Sequence, residues 1–218
     1  MQKQLLKILI ITEASRSIVF KAADLLNKAD KGDIVSQKIF RIITPLIKFR
    51  ACRDVRKVAG DAMEIRGGLG YIEDWLDPKI LRDSHLGSIW EGTSNIISLD
   101  TIRALKKDNN LQIFKNFLID SVKINSEKEH EKHLLSVIDD VFYFVENEVK
   151  EDFTSSSRQI TTSLYYLSSA IFLIEEGNYC EDLAYRSKIS ELIIKYKIDK
   201  NSPITRDDID YDLINNLI

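Results

Sequence analysis

Residues 34–70, IVSQKIFRIITPLIKFRACRDVRKVAGDAMEIRGGLG, decide the fold. Val35, Ile39, Ile42, Leu46 and Phe49 are spaced alternately by four and three, so on a helix they share one face. The spacing predicts a helix running toward Met63. Gly67-Gly68-Leu69-Gly70 ends it, because glycine takes the positive φ of a helix stop at little cost. Pro45 lies deep in that helix, where it removes one backbone hydrogen bond and crowds the preceding turn. Thr44-Pro45 equally suits a cap followed by the first residue of a fresh helix, so a kink and a new start both remain open.

Upstream, Ile8, Ile11, Ser15, Ile18, Ala22 and Leu25 keep the same period and predict a first helix from about residue 3 to about 28. The turn Lys31-Gly32-Asp33 makes it antiparallel to the second. Downstream, Tyr71 to Pro78, with Trp75, reads as an ordered loop, and Pro78 opens a short helix. A further helix is expected from Ser88, carrying Ile89, Ile96, Leu99, Ile102 and Leu105 and stopping near Lys107-Asp108-Asn109-Asn110. Three more stripes follow: Leu111, Phe114, Leu118 and Ser121; Leu134, Ile138, Val141 and Val145; and Ile160, Leu164, Leu167, Ile171 and Ile174. The third is preceded by a capping cluster, Thr154-Ser155-Ser156-Ser157, and closed by Gly177; a last helix spans roughly 179 to 198. The expected fold is all-α, an antiparallel helical bundle with additional C-terminal helices. Residues 1–107 form its core, and residues 108–218 form a helical extension packed on it.

Composition agrees. In 218 residues there are only 3 Pro and 8 Gly, few of the residues that punctuate strands and turns. At 30% charged and 44% hydrophobic residues, the chain is too apolar for disorder. A formal charge of −3 gives no global attraction to nucleic acid or anionic lipid. Two cysteines, Cys52 and Cys180, are too few for a disulfide framework, and a reducing cytoplasm is the expected location. The apolar run Leu5 to Ile11 is broken by Lys7 and followed by Glu13 and Arg16, unlike a secretory or membrane-spanning segment, so no membrane association is expected.

Few residues carry chemistry. The Gly67–Gly70 run follows a helix, whereas phosphate loops follow a strand and open a helix, so it reads as a helix stop or as a place where backbone approaches a ligand. Ser88-Ile89-Trp90-Glu91 has the S-x-x-E form of a capping box. Glu91 is alternatively a general base, since an aromatic neighbour can desolvate a carboxylate and Gly92 leaves room for a substrate. The basic run Arg41, Lys48, Arg50, Arg53, Arg56 and Lys57 reads first as a solvated or inter-helix charged face and second as a nucleic-acid surface. His85, His130 and His133 lack a third ligand at metal spacing, and no metal is assigned.

Three segments together resemble the acyl-CoA dehydrogenase C-terminal domain: Ala62-Met63-Glu64-Ile65-Arg66-Gly67-Gly68-Leu69-Gly70-Tyr71, then Leu81-Arg82-Asp83, then Ile89-Trp90-Glu91-Gly92-Thr93-Ser94-Asn95. Their order and intervals match as well. Ile43-Thr44-Pro45, Lys48-Phe49, Cys52, Glu64, Trp90 and Asn95 are similar to the alkylation-response branch of that family. Residues 42–105 carry the resemblance; residues 108–218 share only helical character.

The resemblance implies α,β-dehydrogenation of an acyl-CoA with FAD as cofactor. Glu91 stands where many members keep the base that removes the α-proton. Glu64, Gly67 and Gly68 map to the FAD adenosine side, often across a subunit interface, and Thr93 and Asn95 map near the flavin. Glu64 and Asn95 each replace a glutamine common in the family. The family also places a helical and a β-barrel-like domain, and a phenylalanine-glycine motif, before this bundle. Without them the chain is expected to be inactive alone and to require a separately encoded N-terminal half before it engages an acyl-CoA substrate. A homo-oligomer is expected. The alternative is a noncatalytic helical assembly or DNA-associating module derived from that family.

Overall fold

In the computed structural model, which describes residues 1–150, 156–180 and 182–199, the first two predicted helices are α1 (Gln2–Asp30) and α2 (Ile34–Ile65). Gly32 at φ 95° turns the chain between them. Asp33 caps α2, accepting from the Val35 amide at 3.0 Å and the Ser36 hydroxyl at 2.7 Å. The predicted face of α2 is inward: Ile39, Ile42, Leu46 and Phe49 are buried, each contributing roughly 1.5–3 kcal/mol, and Ile43 beside them is buried as well. Val35, at the open end, is exposed. Pro45 does not restart the helix. It lies buried inside a continuous α2, and Thr44 turns its hydroxyl back onto the Phe40 carbonyl at 2.8 Å.

After α2 come a single turn, α3 (Gly68–Tyr71), and α4 (Asp77–Leu86), with Pro78 in its first turn and its body against α2. The next helix, α5 (Ser94–Lys106), starts six residues later than the Ser88 expected from sequence. Ser88 and Ile89 lie in a turn, and the Ser88 hydroxyl donates to the His85 carbonyl at 3.1 Å instead of capping a helix. The capping box is absent for a backbone reason: Glu91 has φ 51° and Gly92 φ 110°, and two left-handed residues in succession cannot form a first helical turn.

Asp108 and Asn109, at φ 48° and 61°, make the break after α5, while the Asn110 side chain donates through Nδ2 to the Ala104 carbonyl at 2.9 Å. The extension comprises α6 (Asn110–Asn125), α7 (Lys128–Lys150), α8 (Ser157–Tyr179) and α9 (Leu183–Ile193), followed by one wide turn at Ile194–Ile198. Its predicted stripes on α7 and α8 are buried throughout. The hub is α8, unbroken in burial from Leu164 to Ile174 and packed against α1, α2, α5, α6, α7 and α9. One apolar core therefore runs from Leu6 to Ile194.

Two local expectations fail on α8. Gly177 lies inside the helix rather than closing it; a Cβ there would sit 2.9 Å from both Arg186 Cβ and Leu183 Cα, so this glycine lets α9 cross closely. Ser156 occupies the N-cap without a side-chain cap bond, and Thr154 and Ser155 lie outside the described residues. Among the described residues there is no strand, and no helix is long and apolar enough to cross a membrane.

Candidate active-site surface

The end of α2 is shaped by its glycines. Gly67 (φ 61°, ψ −140°) reverses the chain, and Gly70 folds so closely back that a Cβ would meet the Met63 carbonyl oxygen at 2.2 Å. Gly67 and Gly68 themselves face open space, with nothing within 4 Å of either Cβ position, and Glu64 beside them is exposed. Arg66 reaches Asp77 at 3.1 Å and lies 5.0 Å from the Trp75 ring, fixing the loop that leads into α4.

The Glu91 segment is anchored from earlier in α2. Lys48 Nζ donates to the Gly87 carbonyl at 2.6 Å and the Trp90 carbonyl at 2.9 Å, and stands 5.7 Å from the Trp90 ring. Gly87 packs on Cys52, where a Cβ would come within 3.3 Å of Sγ. Arg53 Nη1 donates to Ser94 Oγ at 3.3 Å. Glu91, Thr93 and Asn95 all point outward and are exposed, while Ser94 between them turns in.

Two surface groups result. Glu91, Thr93 and Asn95 share one loop and helix start; Glu64 lies 16 residues beyond Lys48 and therefore roughly 24 Å along α2, with Gly67 and Gly68 just past it. Between and around them a belt of large apolar side chains is exposed, including Leu69, Tyr71 (75%), Trp75, Leu76 (70%), Ile89 and Trp90 (54%). Such a concentration marks a surface that another part of a protein covers. Sequence reasoning missed the belt, although six large apolar residues from Leu69 to Ile80 are too many for a solvated loop. It also missed Lys48 as the anchor, since both acceptors are backbone carbonyls about 40 residues away.

Most of the basic run is spoken for. Arg41 pairs with Asp100 of α5 at 2.7 Å, whereas Lys57 and Asp61, at 3.0 Å, and Arg50 and Asp54 pair one turn apart along α2 itself. His130 pairs with Glu191 of α9, and His133 is exposed. Among the described residues no group of three His, Cys, Asp or Glu side chains is arranged to hold a metal.

Comparison with known proteins agrees with this geometry. Residues 1–106 match the family described as acyl-CoA dehydrogenase, C-terminal domain. The chain is 34% identical over 130 residues to acyl-CoA dehydrogenase family member 11 of Caenorhabditis elegans, covering 59% of this chain and 21% of that protein. It is 34% identical over 95 residues to AidB of Escherichia coli (strain K12), covering 44% of this chain and 17% of the relative. The chain thus spans about a fifth of the length of these curated relatives. The crystal structure of Caenorhabditis elegans ACDH-11, a complex with a CoA derivative, superposes with a TM-score of 0.77 at 27% identity over 90% of this chain and 35% of that one. That overlap reaches well beyond residue 106, so the extension helices have counterparts in the solved relative. With its helix order, diglycine turn and Trp90-Glu91-Gly92-Thr93 segment in place, the chain belongs through residues 1–106 to the acyl-CoA dehydrogenase family, as its C-terminal helical domain.

Proposed function

We propose that this chain supplies the C-terminal share of an FAD-dependent acyl-CoA dehydrogenase active site. The carrying observation is the exposed apolar belt from Leu69 to Trp90, which surrounds the Glu91 and diglycine groups and awaits cover. The covering walls are protein outside these 218 residues, on a longer polypeptide or on a separate one, together with a second copy of this chain.

The residues present fit FAD. Gly67 and Gly68 offer bare backbone with no neighbour above it, suited to close approach of the adenosine side. At the start of α5 no side chain caps the first amides, which leaves donors beside exposed Thr93 and Asn95 for the flavin edge. When bound, FAD supplies acceptance of a hydride from the acyl β-carbon. Glu91 receives the α-proton: its carboxylate is carried on a left-handed loop pinned by Lys48, with Gly92 leaving space beside it. Exposed as it stands, Glu91 lacks the desolvation that strengthens a carboxylate base, and the chain alone is inactive.

The test is flavin content. The chain and its complex with the domains that complete it are read for a flavin absorption band, and the complex for acyl-CoA oxidation. A band that weakens in Thr93→Val, with oxidation abolished in Glu91→Gln while flavin is retained, is the expected result. No flavin in either preparation overturns the reading and leaves a noncatalytic assembly module. DNA association has less to rest on, because Arg41, Lys48, Arg50 and Lys57 already hold partners within the chain.

A further inference from the structure

A cleft of about 1110 Å³ opens between α2, α7, the start of α8 and the turn at Lys197–Asp199. One wall belongs to the family domain and the other to the extension, so the cleft exists only because the extension packs on α2. Its volume suits a small molecule. Three guanidinium groups face it: Arg50, Arg53 and Arg158. Asp54 neutralises Arg50, accepting from its Nε at 2.9 Å.

The other two arginines form no ion pair among the described residues. Arg53 Nε is buried with no hydrogen-bond partner, its Nη1 has only the 3.3 Å contact to Ser94, and its guanidinium lies 5.6 Å from the Phe49 ring. Partial burial, and the company of Arg158, Arg50 and Arg56, hold its pKa below the ordinary arginine value. A cation kept among cations with a donor aimed at no acceptor disfavours the empty state. Arg158 stands in the first turn of α8, so the helix dipole adds to the same field. Asp140 and Glu148 on the α7 side line the cleft without pairing to any of these arginines, and Phe49 and Phe144 add an apolar wall.

We propose that this cleft binds a small phosphate-bearing ligand, its phosphate between Arg53 and Arg158 and its apolar or aromatic portion against Phe49 and Phe144. Guanidinium forks match phosphate oxygens in pairs, and the ligand supplies the acceptor that Arg53 Nε lacks. The site does not depend on the flavin reading, since none of Glu64, Gly67, Gly68, Glu91, Thr93 or Asn95 lines it.

The 218-residue chain is titrated calorimetrically with ADP, with inorganic pyrophosphate and with a DNA duplex, at fixed ionic strength. Saturable one-to-one binding of ADP is expected, weakened about tenfold or more in Arg158→Gln and in Arg53→Gln and unchanged in Lys38→Gln. Arg158 is exposed, so its replacement leaves the fold intact. The free Arg158→Gln protein is expected to melt higher, because a like charge has been removed. ADP is expected to bind more tightly than pyrophosphate, which carries the same diphosphate without the ring. Absence of saturable binding by either diphosphate overturns the proposal, as does equal affinity in Arg158→Gln. Duplex binding through the same arginines, tighter than that of ADP, overturns it in favour of nucleic acid.

Discussion

At the scale of single residues, the Asp54 carboxylate ties α2 to α8: it is 2% exposed, accepts from Arg50, and accepts from the Tyr166 hydroxyl at 2.7 Å. Replacing it leaves a half-buried guanidinium and a buried hydroxyl unsatisfied. Asp54→Ala is therefore expected to cost roughly 3–5 kcal/mol in urea unfolding. Tyr166→Phe, which removes one hydrogen bond and leaves the ion pair, is expected to cost only about 1 kcal/mol. Burial, and then the Asp54 charge, raise the Tyr166 pKa; burial likewise raises that of Tyr165. For an acid whose folded pKa lies above the unfolded value, stability is complete below the unfolded value, about 10 for tyrosine, and declines as pH rises past it. Unfolding free energy should thus fall above about pH 10, less steeply in Tyr166→Phe. Glu91 makes a different prediction. At φ 51° it occupies a region glycine prefers, so Glu91→Gly should hold stability or raise it by about 0.5 kcal/mol in thermal unfolding. A loss of 1 kcal/mol or more is what a capping glutamate would give. Neither environment was legible locally. Asp54 reads as an ordinary i,i+4 partner of Arg50 until Tyr166, 112 residues away, closes over it.

At the scale of elements, the stripes of α1, α2, α7 and α8 were legible because helical period is a property of neighbours in sequence. The start of α5 was not, because Ser88-Ile89-Trp90-Glu91 satisfies a residue pattern while Lys48, from α2, holds the backbone in turns. Gly177 was similarly misplaced: glycine after an apolar stripe usually stops a helix, yet here it admits α9. Gly177→Ala gains helix propensity of about 1 kcal/mol but drives a methyl into Leu183 and Arg186. A net destabilisation of about 1–2 kcal/mol is expected, read as a lower denaturation midpoint; stabilisation would show that α9 shifts freely.

At the scale of the molecule, α8 is shared property. It covers α1, α2 and α5, and a charged network joins α1 to it and to α9: Arg16 reaches Glu176 at 2.5 Å, and Arg186 pairs with Glu13. A fragment ending at residue 107 would bare the apolar faces of α1, α2 and α5 that α8 now buries. Such a fragment is expected to lack a cooperative thermal transition and to associate, by calorimetry and sedimentation; a monomer with a sharp transition would show that the first segment folds alone.

The sequence by itself determined the helical class, the faces each helix must hide, the glycine turns and the family, all of which reside in local spacing and in residue types at fixed intervals. Tertiary structure alone decided that α8 is the hub, that Glu91 sits on a left-handed loop, and that Arg53 and Arg158, 105 positions apart, confront each other across one cleft. Periodicity states which face of a helix is apolar but not what it will meet. Partners are chosen by the packing of distant segments, which no local pattern carries.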